Sequence, residues 1–431
     1  MNVLLVLPWC QTDKSYKTFA ASTMLTYAPL TLGALGAIIK NARPDWNVEA
    51  IDEVSGTVRY DRKKYDMVFI SLITSAAKRG YDIADKFRAI GSFVCMGGYH
   101  VRYNREEALE HADSVIIGPG EYAIPALIND YEKHKTEKIY EMPNVKGEDI
   151  LPVDRSLISM KGYLKYPALV ANNSCKNRCD YCVISDMWKA STPRPVSDVI
   201  EEIKSLKKKI IIFFDPNFFG NREYAIELMM ALSSLKIRWV GSATANIGFD
   251  DELLGYAEKS GCNGLLIGLE SMKKETLVGV RKGFNDPLKY KESIANIQAH
   301  GISVNGCFIV GMDGDTKEDI MSLPEQIRYL NLNLARFAVM TPVPGTEFFK
   351  KLDENGRITD KNWDRYTQHN AVFTPIGYSA DELNKMYRYV WKETYSFKNL
   401  LCRVKNCPSR GIVAKMIVLG ANIGFKYLGM K

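Results

Sequence analysis

Twice along the chain, short apolar runs of strand length alternate with stretches of helical length, and this rhythm constrains the fold more than any other feature. The first series runs from Asn2 to about Asp130: NVLLVLP, PLTLGALGAIIKNA, NVEAIDE, YDMVFISLIT, a helix near Tyr81 to Ile90, SFVCMGGYH and DSVIIGPGE. The second begins at Ala168 and passes through ALVANNS, KIIIFFDPN, IRWVGSAT, CNGLLIGLES, SVNGCFIVG and ARFAVMTPVPGT. Helices are predicted between them at Val196 to Lys207, Arg222 to Leu235, Asp250 to Lys259, Pro287 to His300 and Thr316 to Leu330. Strands joined by helices imply parallel pairing, because parallel neighbours need long crossovers and the helices then cover the sheet faces. The expected fold is α/β: a doubly wound parallel sheet over residues 1–130, a linker over 131–165, a partial (β/α)6 barrel over 166–349, and a mostly helical basic region over 350–431.

At 431 residues, with 46% hydrophobic and 25% charged side chains, the chain is apolar enough to bury real cores, which excludes disorder, collagen and coiled coil. No uninterrupted apolar run reaches the roughly 18 to 20 residues of a spanning helix, and MNVLLVLPWC lacks the basic lead of a secretory signal, so a cytoplasmic protein is expected. Nine cysteines, an odd count, argue against a disulfide framework and for reduced thiols that are buried or ligating. From Leu383 to Lys431 ten Lys or Arg face the single acid Glu393, so the tail carries more than the whole formal excess of +7. No recognised RNA module accompanies that charge, and no nucleic-acid partner is expected.

Both architectures bind ligands at the carboxyl ends of their strands. In the first series those ends carry Pro8 to Thr12, Ser71, Thr74, Gly97, Gly98, His100, Gly118, Gly120 and Glu121. A dinucleotide site is disfavoured, because PWCQTDK stands where a G-x-G-x-x-G turn would be. In the second series Cys175, Cys179 and Cys182 form C-x3-C-x2-C directly after the first strand. Soft thiolates suit iron–sulfur clusters, and three of them leave one iron free to chelate a ligand. Zinc is the alternative, but its structural sites take four protein ligands. Here Cys262 and Cys307 fall on predicted strands, and Cys402 and Cys407 are remote in sequence.

The segment NNSCKNRCDYCVISDMW, with Tyr181 before its last cysteine, is followed by FFDPNFF, GCNGLLIGLES, VRKG, HGISVNGCFIVGMDGDT and TPVPGT. In this order and spacing the chain resembles the radical SAM superfamily over about Asn2 to Phe349, specifically the group with an N-terminal flavodoxin-like cobalamin-binding domain. The resemblance implies that Cys175, Cys179 and Cys182 hold a [4Fe-4S] cluster whose open iron takes S-adenosylmethionine (SAM). It also implies Glu270 and Ser271 as ribose-side contacts, Asp215 and Asn217 facing the same cavity, Tyr181 by the adenine, and Gly306 to Gly311 as a strand closely approaching the nucleoside. Cobalamin would lie against Ser71, Thr74, Gly97, Gly98, His100, Gly118, Gly120 and Glu121. The D-x-H-x-x-G segment of histidine-donating modules is absent, since Asp13 is followed by Lys14 and Ser15.

Each residue also has a plainer reading: Glu270 as a helix cap, Asp215 as the start of a turn, Gly311 to Gly314 as a connecting loop, His100 as a hydrogen-bonding residue, Cys10 as a small buried packer. The implied reaction is methylation of an unactivated carbon of a small or lipid-like biosynthetic substrate, fed by a flavodoxin or ferredoxin. The alternatives are a cobalamin-independent radical SAM reaction and a zinc-stabilised binding protein. A helix is predicted over Asp381 to Tyr395, and GIVAKMIVLGANIGFKYLGMK is read either as a buried closing helix or as a peripheral membrane contact.

Overall fold

The computed structural model describes residues 1–10, 26–60, 64–142, 144–188, 192–405 and 412–429. Cys407 and the Gln11 to Ser15 part of the first loop lie outside the described residues. The first sheet comprises β1 (Asn2–Leu7), β2 (Asn47–Asp52), β3 (Met67–Ser71), β4 (Phe93–Gly97), β5 (Ser114–Ile117) and β6 (Ile139–Glu141), in the order β2-β1-β3-β4-β5-β6. All its pairings are parallel. In β1 the four consecutive residues Val3 to Val6 are fully buried, as expected of a strand covered by helices on both faces. The order reverses between β1 and β3, which opens a crevice at their carboxyl ends.

One strand lies where a linker was expected. β6 falls inside residues 131–165 and pairs with β5 through Val115, Ile116 and Ile117. Its three residues sit among charged neighbours and bury only Tyr140, too short a pattern to read as a strand.

The second sheet holds β7 (Ala168–Leu169), β8 (Ile210–Phe213), β9 (Arg238–Ala243), β10 (Cys262–Glu270), β11 (Ser303–Val310) and β12 (Leu334–Val339), in the order β12-β11-β10-β9-β8-β7. Every pairing is parallel, with a helix in each crossover, and β12 does not pair with β7, so the barrel is open along one seam. Side chains alternate along each strand. In β11, Val304, Gly306, Phe308 and Val310 are buried toward the helices, while Asn305, Cys307 and Ile309 on the opposite, inner face are only partly buried.

The seam leaves β12 with unpaired backbone groups, a hazard for any exposed sheet edge. The Tyr395 hydroxyl, at the end of the helix Ala380–Thr394, accepts from Ala335 N at 3.0 Å and donates to Ala335 O at 2.5 Å. Tyr387 donates to Phe337 O at 3.4 Å, and Val339 N donates to Gln368 O at 2.8 Å. The final helix, Ile412–Gly429, packs behind this seal: Val418, Asn422 and Phe425 are buried, and Phe425 lies 5.7 Å from Tyr395 between ring centroids. Among the described residues no helix is long and apolar enough to cross a membrane.

Because Tyr395 is buried and satisfies both groups of Ala335, Tyr395→Phe leaves a donor and an acceptor without partners. A loss of about 1–3 kcal/mol in chemical denaturation is expected. Tyr389→Phe, on an exposed ring of the same helix, is expected to change stability little.

Candidate active site at the carboxyl ends of the second sheet

The cysteine loop starts where β7 stops, and a buried carboxylate fixes its first residues. Asp215, following β8, accepts hydrogen bonds from Ala171 N and Asn172 N, each at 2.9 Å. Asn172 in turn accepts from Ser174 N at 2.9 Å. Farther on, Asp180 N donates to Val280 O, Phe348 N donates to Asp180 O, and the Asp180 carboxylate pairs with Arg281. The loop is thus tied to β8, to the turn after the helix Lys274–Gly279 and to the helix Glu347–Glu354. Cys179 is buried, while Cys175 and Cys182 are partly exposed.

Beside these thiols lies a buried ion pair. Lys282 Nζ is 2.9 Å from Glu270 Oε1, and both side chains are about one-tenth exposed. Glu270 sits at φ 66°, a left-handed bend that turns its side chain back along the strand end. Gly268 makes the pair possible: a Cβ there would come 2.4 Å from Glu270 Oε1 and 3.0 Å from Lys282 Nζ. Asn285 and Tyr290 satisfy the carbonyls beneath it, at Gly268 O (2.8 Å) and Leu269 O (2.7 Å). Burial pushes the Cys179 thiol up, against the pull of the Lys282 ammonium. Burial likewise opposes the Lys282 charge, but Glu270, Cys179 and Cys182 hold its pKa above the usual value. Tyr181 interacts with Cys179, Cys182 and Glu270, and burial raises its phenol.

The structure brings together Cys179, Cys182, Tyr181 and Glu270, and adds Lys282, which the sequence marked only as part of VRKG. Other residues expected at the nucleoside make contacts within the chain. Asp215 is spent on the loop backbone. Ser271 is buried, and its hydroxyl accepts from Lys273 N at 3.1 Å. A Cβ on Gly306 would meet Leu332 at 2.7 Å and Leu269 at 3.1 Å, in the layer between sheet and helices. Gly311, at φ 90°, faces Leu383 at 2.4 Å, and its N–H goes to Asp315, so it closes a connecting loop. Asn217 keeps a buried Oδ1 without a partner, an acceptor available to a ligand.

On the first sheet, His100 is fully buried in a short helix rather than on an open turn. Its Nε2 meets Tyr81 Oη at 3.1 Å, its Nδ1 meets Thr74 Oγ1 at 3.3 Å, and burial lowers its pKa to about 4. Gly98, at φ 100°, lets the chain pass the Leu72 backbone, where a Cβ would lie 2.5 Å from the carbonyl oxygen. Gly118, at φ 102°, similarly clears Met142 O. Gly97 has ordinary clearance, a Cβ on Gly120 would meet Ile124 at 3.0 Å, Ser71 is partly buried, and burial raises the Glu121 carboxyl. Over these strand ends lies a C-terminal segment the sequence did not place there. Trp363 donates to Glu107 at 3.0 Å and packs 5.4 Å from His100, and the Cys10 thiol donates to Asp364 O at 3.4 Å.

Residues 169–327, which hold the cysteine loop and the Glu270–Lys282 pair, match the profile of the Radical SAM superfamily. They form a radical SAM domain. The chain is 28% identical over 418 residues to bacteriochlorophyllide d C-12(1)-methyltransferase of Chlorobaculum tepidum, covering 94% of this chain and 90% of that protein. To the C-8(2)-methyltransferase of the same organism it is 29% identical, covering 92% of each. Among solved structures, the radical SAM methyltransferase TsrM from Kitasatospora setae, with cobalamin and a [4Fe-4S] cluster bound, superposes with TM-score 0.66 at 16% identity, covering 90% of this chain and 81% of that one. That likeness shows a shared fold.

Within the radical SAM domain the Glu270–Lys282 pair has little access to solvent, so removing one partner strands a buried charge. Lys282→Met is expected to cost about 3–5 kcal/mol in denaturation of the cluster-free protein, and adding Glu270→Gln is expected to recover most of that loss. Asp215 and Asp315 are both pushed up to about 7 by burial, which outweighs their backbone hydrogen bonds. The unfolded chain ionises them near pH ~4, so the native state binds more protons between about 4 and 7. Their contribution to stability therefore falls as pH rises through that window, and Asp315→Asn is expected to flatten the profile.

Proposed function

We propose that this chain is a cobalamin-dependent radical SAM methyltransferase acting on an unactivated carbon of an apolar biosynthetic substrate. The observation that carries the reading is a single loop with three thiols, clamped at both ends, beside a buried ammonium. Three protein sulfurs suit a cubane with one iron left open. The Lys282 charge partly offsets the burial that raises the Cys179 thiol, and the free Asn217 Oδ1 and the half-buried Tyr181 ring supply an acceptor and a flat surface for a nucleoside. Cys175, Cys179 and Cys182 would hold the cluster, and the β1/β3 crevice of the first sheet would take cobalamin. When bound, these groups supply reductive cleavage of SAM, hydrogen abstraction from carbon, and a transferable methyl group.

The chain's own residues supply position and exclusion of water. Asp215 fixes the entry of the cysteine loop, Arg281 holds it at Asp180 between the second and third cysteines, and Tyr395 at the end of the C-terminal helix Ala380–Thr394 seals the sheet edge. His100, with both ring nitrogens engaged, is not offered as a cobalt ligand in this reading. The homology of the cysteine region to radical SAM proteins sets the zinc scaffold aside.

Anaerobic reconstitution is expected to give a brown protein containing iron and sulfide that converts SAM to 5′-deoxyadenosine or S-adenosylhomocysteine. Hydroxocobalamin is expected to stay bound in stoichiometric amount after desalting. Cys179→Ala is expected to abolish the chromophore while corrinoid binding persists. Protein that turns over SAM but retains no corrinoid would instead support the cobalamin-independent reaction.

A second feature favours peripheral contact with anionic lipid. Phe397, Leu401, Met416 and Ile423 are exposed on the last two helices, interspersed with exposed Lys398, Lys405 and Lys415. Flotation with phosphatidylglycerol vesicles at low salt is expected to carry the full chain upward, and Leu401→Glu with Met416→Glu to leave it in the soluble fraction.

A further inference from the structure

The inner wall of the second sheet carries a cation that the cysteine site does not use. Arg336 lies on β12, on the face opposite the buried Ala335 and Phe337, and is exposed. Its register partner on β11 is Cys307. Cys307 interacts electrostatically with Glu270 and with Arg336, so the three mark a path along the inner wall from the cysteine site toward the open seam. Across the seam, Tyr27 packs edge-on against Phe214 at 5.8 Å and lies within the field of Arg336. The guanidinium itself sits 5.4 Å from the centre of the Phe425 ring.

Arg336 differs from the arginines that pair within the chain. Arg79, Arg155, Arg194 and Arg357 each bind a carboxylate of the chain. Arg336 has no ion-pair partner among the described residues, and one aromatic ring, Phe425, lies against its guanidinium. Two positions before its register partner, Asn305 presents a buried Oδ1 with no hydrogen-bond partner, so the same wall also offers an unfilled acceptor.

We propose that Arg336, with Tyr27 beside it, anchors a carboxylate of an otherwise apolar substrate at the open seam of the barrel. The proposal rests on reading the barrel interior as the substrate chamber. A guanidinium fork matches a carboxylate bidentately, and the face of Phe425 holds the plane of the fork. A single fork suits a carboxylate better than a phosphate dianion, because Lys282, the cation beside the thiols, is already paired with Glu270. With the carboxylate held at Arg336, the body of the ligand extends past Cys307 toward Glu270 and the cysteine loop. The anchor thereby selects which carbon is presented.

The test uses the wild-type, cluster-reconstituted full chain and the arginine reagent phenylglyoxal, with modified sites mapped by mass spectrometry. The probe is protoporphyrin IX, a flat apolar dicarboxylate, against its dimethyl ester. Arg336 is expected to react ahead of Arg79, Arg155, Arg194 and Arg357. Protoporphyrin IX is expected to slow that reaction about tenfold or more, as a charge-assisted hydrogen-bonded pair would, and the ester to leave it unchanged. Arg336→Lys, which keeps the charge but not the fork, is expected to weaken binding of the acid toward that of the ester. Equal protection by acid and ester, protection by neither, or an unreactive Arg336 overturns the anchor. SAM cleavage by the same preparation reports separately on the enzymatic reading, so loss of cleavage with acid-specific protection intact would count against that reading and not against the anchor.

Discussion

The cysteine loop depends on a buried carboxylate spent on backbone. β7 has only two residues, too few for sheet pairing to hold the chain that leaves it. Asp215, 1% exposed, takes over where pairing ends by accepting the next two backbone N–H groups. The return path is held just as firmly, since Arg194 N donates to Ala171 O at 2.9 Å and Arg194 Nη1 to Val170 O at 3.1 Å. Glu202, also buried, binds Arg194 and Arg155 at 2.7 Å each. Such buried pairs contribute little net stability, but losing one partner is costly, so they hold the loop in one arrangement. A loop that carries three thiols after so short a strand gains its fixity from these bonds rather than from sheet pairing.

Openness is the second constraint. A six-stranded parallel sheet that does not close leaves one strand edge bare, and here the C-terminal region supplies the missing partners through tyrosine hydroxyls rather than through a further strand. A hydroxyl both donates and accepts, so Tyr395 alone satisfies the N–H and the C=O of Ala335. The seal is made on the edge and outer face of β12, which leaves its inner face to line the chamber.

How much of this was legible in the sequence follows from range. The three cysteines, the Asp215 segment and the Glu270 strand end are local patterns, and the alternation of βα steps fixed both sheets except for β6. The roles of the glycines were misread because periodicity alone does not say which face of a strand looks inward. Gly306 falls on the helix side of β11, while Gly268, unremarked, is the position where a Cβ would displace the Glu270–Lys282 pair. Lys282 belongs to the VRKG segment, but its place beside the thiols depends on the left-handed bend at Glu270 and on chain that folds back after it, which no local pattern shows. Trp363 reaches Glu107 across 256 residues of sequence, and no local pattern could foretell that contact.

The basic tail shows why composition alone misleads about partners. Arg403 contributes to the positive count, yet it is buried, donates to Asn422 Oδ1 and Thr394 O, and lies 4.8 Å from the centre of the Tyr395 ring. Asn422 in turn donates to Asn333 O, just before β12. A chain of contacts therefore runs from the last helix through Arg403 and Tyr395 to the edge strand, and Phe425 completes it beside Arg336. Part of the tail's charge is thus structural, and the last helix braces the edge strand as well as forming a surface.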